Sequence, residues 1–86
     1  MVKAIVLIDC RVGKPTAVSS ALRELMGHPK GNSSARVLAA DSVTGPFDVI
    51  AAIESDTLDK IGQFVTDVIQ NVDGVLRTET CLCLAA

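Results

Sequence analysis

Side chains able to do chemistry are few in this 86-residue chain, and they are scattered. The single histidine, His28, lies between Gly27 and Pro29, where a solvated loop residue is the ordinary outcome. Ser19, Ser20, Ser33, Ser34, Ser42 and Ser55 have no histidine nearby in sequence to serve as a base. Asp56 and Asp59 are explained by helix capping and the helix dipole. Gly13-Lys14-Pro15-Thr16 lacks the GxxxxGK[ST] frame of a phosphate loop. Cys81 and Cys83 do not have the CxxC spacing. Residues two apart on a strand share a face, so the pair reads as small apolar side chains rather than as a metal or redox pair. An enzyme needs a visible acid, base, nucleophile or metal set. None is legible here, so the chain is expected to be a non-enzyme, without catalytic residues, metal or cofactor.

Binding chemistry is easier to place. VTGPFD, residues 43–48, joins two apolar runs. Gly45 has no Cβ, and Pro46 restricts it and stiffens the turn. Asp48 follows at the start of the next run. A rigid loop offering backbone N–H groups beside one carboxylate suits a small zwitterion, whose ammonium the Asp would pair. The plainer reading is a tight turn whose Asp accepts its own backbone N–H groups, and local physics favours it. Further on, Thr78 and Thr80 put two hydroxyls on one strand face with Leu76, Leu82 and Leu84. β-propensity explains them, and so would a ligand at a subunit boundary.

These residues need elements to hold them. KAIVLID at 3–9 reads as a strand, and Gly13 turns the chain. Pro15 suits a first helical position, followed by an apolar stripe of Ala17, Val18, Ala21, Leu22 and Leu25, with Gly27 as the stop. GHPKGNSSA at 27–35 is a polar loop. Strands are expected at 36–43 and 48–54. Ser55 or Asp56 is placed to cap a second helix, Asp56 with Asp59 as a variant capping box. Its buried stripe is Leu58, Ile61, Val65, Val68 and Ile69, with Phe64 at the edge. Residues 75–84 make a fourth strand. The order β-α-β-β-α-β is the split-βαβ or ferredoxin-like plan of the α+β class: a four-stranded antiparallel sheet with two helices on one face.

Length sets one small domain, 1–86, and 49% apolar against 21% charged residues is too apolar for disorder. No run approaches a membrane span of about 18–20 apolar residues. Eight basic residues spread among ten acidic ones, with only Phe47 and Phe64 as rings, argue against direct nucleic-acid binding. Three cysteines without a signal peptide point to free thiols in the cytoplasm.

The hydrophobic pattern goes further. With helices on one face, strands of a four-stranded sheet should alternate. Ala4-Ile5-Val6-Leu7-Ile8 and Val49-Ile50-Ala51-Ala52-Ile53 do not: they are apolar on both faces. These should be the central strands, and the far face needs a cover this short chain cannot supply. A second copy is the simplest one, which predicts a homo-oligomer through the sheets.

VTGPFDVIAAIE followed by LDKIGQFVTDVIQNVDGVLRTETCLCL closely resembles the effector-binding (RAM) domain of the Lrp/AsnC transcription regulators, from Val2 to Leu84. The resemblance implies a dimeric α+β barrel type of fold, a sheet-to-sheet dimer and commonly a ring of four dimers, an octamer. The helix-turn-helix domain of full-length members is not expected in this chain. The resemblance also implies a small effector, often an amino acid, bound in clefts where dimers meet. The matching positions are the turn Thr44, Gly45, Pro46, Phe47 and Asp48, the strand hydroxyls Thr78 and Thr80, and the second helix around Gly62 and Thr66. Family members with acidic residues on that helix favour basic ligands, and Gly62 and Thr66 do not carry that preference over. A full-length Lrp/AsnC regulator is the implied partner in mixed assemblies. Two alternatives stay open: a protein-interaction module without a ligand, and a small dimeric α+β barrel enzyme.

Overall fold

The computed structural model of the chain describes residues 1–26 and 35–84. Its elements are β1 (Val2–Cys10), α1 (Pro15–Glu24), β2 (Arg36–Ser42), β3 (Val49–Ser55), α2 (Leu58–Asp67), a 3₁₀ turn (Ile69–Asn71) and β4 (Val75–Leu82). The sheet runs β2-β3-β1-β4, and every pairing is antiparallel. The expected ferredoxin-like βαββαβ plan is therefore the observed one, and the two doubly apolar strands are the two central ones.

The register shows which residues share a face. Ala4, Val6 and Ile8 of β1 stand opposite Ile53, Ala51 and Val49 of β3 and opposite Leu82, Thr80 and Thr78 of β4. On the central strands this face is fully buried, together with Val18 and Leu22 of α1 and with Ile61, Phe64 and Val65 of α2. The other face carries Ile5 and Leu7, Ala52 and Ile50, and Cys81 and Glu79 in matching rows. Ile5, Leu7, Ile50 and Ala52 are only half-buried. Removing apolar area from water is worth about 25 cal/mol per Å², and this face leaves that gain unrealised in one copy.

Several local expectations are corrected. α2 is capped by Thr57, whose hydroxyl accepts the Lys60 N–H at 3.2 Å, and not by Ser55 or Asp56. Ser55 belongs to β3 and is buried, while Asp56 instead pairs with Lys60 across one turn. Phe64 is the centre of the α2 stripe rather than its edge, at 1% exposure, and Leu58 is 54% exposed. On α1, Ala17 faces solvent. Its place in the packed layer is taken by Ser19, whose hydroxyl bonds the Thr16 carbonyl and the Ser42 hydroxyl, so its polar atom is satisfied. α1 stops at Glu24, before the expected stop at Gly27; Gly27, His28 and the rest of the polar loop through Ser34 lie outside the described residues.

Candidate functional site

The two sequence-derived candidate clusters fall in two places. The first is a groove of about 670 Å³ between α2 and β4. It exists because the helices lie toward the other side of the sheet. α1 packs on β2 and β3, and α2 on β3 and β1, so the helix-side face of β4 is left largely uncovered. The groove floor is Thr80 and Leu82, and its wall is the outer flank of α2, including Leu58, Gly62, Gln63 and Thr66. The apolar lining supplies contact area, while the hydroxyls of Thr66 and Thr80 and the Gln63 amide offer both donors and acceptors. At Gly62 an added Cβ would meet no atom within 4 Å, so the helix leaves open space there. Asp59 and Asp67 also line the groove, and among the described residues no lysine or arginine does. Sequence spacing alone did not bring these two carboxylates to the site.

Thr78 shares the strand face of Thr80 but is already engaged: its hydroxyl accepts from the Gln70 side-chain amide at 3.0 Å. It is not among the groove's lining residues.

The second place is the turn, at the end of the sheet where β1 gives out. Thr44, Gly45 and Pro46 are exposed, and Phe47 and Asp48 half-buried. Gly45 has φ +142°, which a side chain would resist, whereas a Cβ there would touch nothing. The glycine thus serves the backbone path rather than a close approach within this chain. Asp48 links three strands' ends. Its N–H donates to the Ile8 carbonyl and its carbonyl accepts the Val43 N–H, both at 2.9 Å. Its carboxylate Oδ2 accepts the Cys10 N–H at 2.8 Å. Where β3 turns away and has no carbonyl to offer, a side chain completes the ladder. The Asp-turn reading put the acceptor's partner within its own turn; the partner is 38 residues away in sequence. Oδ2 is thus occupied.

The same corner shapes Cys10. Burial pushes its thiol pKa up, and the nearby Asp48 and Asp9 carboxylates add to the rise. A thiol held protonated is a poor nucleophile. Cys81 is exposed on the far sheet face and Cys83 half-buried near its edge, and all three are free. Among the described residues no group of three or more His, Cys, Asp or Glu side chains could hold a metal ion. Nor is any described helix long and apolar enough to cross a membrane.

Within one protomer, then, Thr66 and Thr80 come together in the groove, while Thr44, Gly45, Pro46, Phe47 and Asp48 form a separate corner and do not line it.

No curated protein matches the chain. Among solved structures, a protein of Thermus thermophilus is 35% identical, with 100% of this chain and 96% of that chain covered and a TM-score of 0.81. AsnC of E. coli shares the fold at 21% identity and a TM-score of 0.73, covering 99% of this chain and 52% of that one. A Neisseria meningitidis transcriptional regulator, solved with L-Met, does so at 20% identity and a TM-score of 0.71, covering 96% and 49%. The sequence model of the Lrp/AsnC ligand binding domain matches residues 3–86. With that match spanning the βαββαβ sheet and both candidate clusters, the chain belongs to the Lrp/AsnC ligand-binding-domain family.

Proposed function

We propose that this protein is an effector-sensing oligomer without catalytic activity, which takes up a small molecule of the amino-acid class. The observation that carries the reading is the α2–β4 groove, an open, mostly apolar cleft in which Thr66 and Thr80 offer hydroxyls. The L-Met complex of the Neisseria regulator is in keeping with that ligand class. In this proposal copies pair through the half-buried face of Ile5, Leu7, Ile50 and Ala52 into dimers, and dimers assemble further, up to an octamer. Assembly brings the turn of one copy to the groove of another, which would set Thr44–Asp48 of one copy near Thr66, Thr78 and Thr80 of the other. Mixed assembly with a full-length Lrp/AsnC regulator would pass the effector signal to transcription. Three free cysteines fit a reducing cytoplasm.

Calorimetric titration with each of the twenty amino acids, checked by thermal shift, tests the binding. Gly62→Leu is the discriminating variant. Its side chain enters open space at the groove, and replacing a mid-helix glycine gains about 0.5–1 kcal/mol of helix stability. The expected outcome is a protein at least as stable as the native one that no longer binds the amino acid. Retained affinity in Gly62→Leu would move the site away from the groove. Light scattering tests the assembly separately: a species larger than a monomer is expected at micromolar concentration, and a monomer there would remove the sheet-to-sheet dimer.

A further inference from the structure

We propose that Arg77 is a positioning residue for the turn, holding Phe47 against the sheet so that Thr44–Asp48 keeps one orientation relative to β4. Arg77 stands on β4 directly across from Asp9 of β1. Its Nη2 and Nε lie 2.9 and 3.0 Å from the same oxygen, Asp9 Oδ2. Its guanidinium carbon is 6.0 Å from the centroid of the Phe47 ring, at the reach of a cation–π contact. The next residue of β1, Cys10, donates its N–H to Asp48. Two consecutive residues of β1 therefore secure two consecutive residues of the turn: Cys10 holds Asp48 directly, and Asp9 holds Phe47 through Arg77. The β1–β4 register shifts between Asp9 and Cys10, so the two anchors sit where the β1–β4 ladder is irregular.

The ion pair is largely exposed on the arginine side, at 62%, so it adds little to the stability of the whole fold. Its effect is local. Arginine suits the task because one planar guanidinium can bind a carboxylate along its edge and lie over a ring with its face, which a lysine ammonium cannot do. The anchoring itself requires no ligand; its bearing on effector affinity rests on the binding role proposed above.

Native-state amide exchange on the whole chain, read residue by residue by NMR, tests this. Val43 and Asp48 report on the turn, because the Val43 amide bonds across it to the Asp48 carbonyl and the Asp48 amide ties its end to the Ile8 carbonyl of β1; Val6 and Ile53 report on the central strands. Arg77→Ala is expected to speed exchange at Val43 and Asp48 by about five- to tenfold relative to Val6 and Ile53, as expected for losing one exposed ion pair and one cation–π contact. Arg77→Lys should fall between native and Arg77→Ala. Asp9→Asn, which leaves Arg77 and Phe47 in place, should give a smaller but still turn-confined acceleration and serves if Arg77→Ala does not fold. Unchanged exchange in the turn, or equal acceleration in turn and central strands, overturns the proposal. Effector affinity in the same variants separates the two readings. Turn-confined acceleration with unchanged affinity upholds the anchoring and removes the turn from the binding site.

Discussion

Gly74→Ala should destabilise the protein by about 2–4 kcal/mol, the sum of a positive-φ penalty and an overpacking term. Gly74 has φ +101°, a conformation that alanine rarely adopts. A Cβ at this position would also lie 2.7 Å from Lys14 Cβ, 3.0 Å from Lys14 Cγ and 3.1 Å from Val18 Cγ2. The first of these atoms is fixed to the start of α1 and cannot swing away as a side-chain tip could. Relief requires moving either the first turn of α1 or the start of β4. The Gly74 carbonyl resists such movement, since it accepts the Arg11 N–H at 2.8 Å. For a domain of this size the loss corresponds to a fall in Tm of roughly 4–8 °C per kcal/mol. Thermal unfolding at one fixed protein concentration measures it, because oligomer stability depends on concentration.

The two contributions can be separated. Lys14→Gly removes the atom in closest conflict and costs little by itself, because the Lys14 side chain makes no capping hydrogen bond, its ion pair with Asp73 is exposed, and glycine is acceptable at a cap. The double variant Lys14→Gly/Gly74→Ala should recover the overpacking share, about 1–3 kcal/mol, and retain the backbone share. Recovery of nothing would place the whole cost in the backbone. Gly74 matters to function through β4. It fixes where that strand starts beside the first turn of α1, and hence its orientation along the sheet: Thr80 and Leu82 on the groove side, with Arg77 on the other side beside Asp9.

Much of the architecture was legible in the sequence for one reason. Runs apolar on both faces have to be central in a sheet, and β1 and β3 are. Spacing along a helix gives directions but not what lies opposite them. Leu58 falls on the inward stripe of α2, yet it sits at the helix start beside β4, where no second helix closes the layer, so it is exposed. Phe64 occupies the neighbouring angle and is buried because α2 lies over β3 and β1 at that level. The cap moved to Thr57 because β3 runs through Ser55, whose side chain belongs to the core layer. The groove could not be read at all, since it arises from how far two helices lie from the middle of the sheet. Thr66 and Thr80 were assigned by family resemblance, and their meeting in one groove is a consequence of packing. At Asp48 the local pattern gave an acid at the end of a turn but not the distant N–H that it holds.

That distant partner shapes the second large effect. Asp48→Ala is expected to cost about 1.5–3 kcal/mol, because the Cys10 N–H loses a charged acceptor and the final residue of β1 loses its hold on the turn. Loss of effector binding in this variant would therefore say little about a ligand contact, since the turn itself would be altered. Asp48→Asn separates the two roles. The amide oxygen can still accept the Cys10 N–H, so about 1 kcal/mol or less should be lost, the difference between a charge-assisted and a neutral hydrogen bond. What Asn cannot do is neutralise an ammonium group. Oδ2 accepts the Cys10 N–H, which leaves Oδ1 and the carboxylate's negative charge to meet a ligand. If Asp48 pairs with an effector's ammonium, Asp48→Asn should remain folded and keep its oligomeric state while losing roughly tenfold or more in affinity, the scale of one charged hydrogen bond. If Asp48 is only the end of the β1 ladder, affinity should follow stability: near native in Asp48→Asn and reduced in Asp48→Ala. Denaturation midpoint, light scattering and calorimetry on the two variants decide between a residue that builds the turn and one that also holds the ligand.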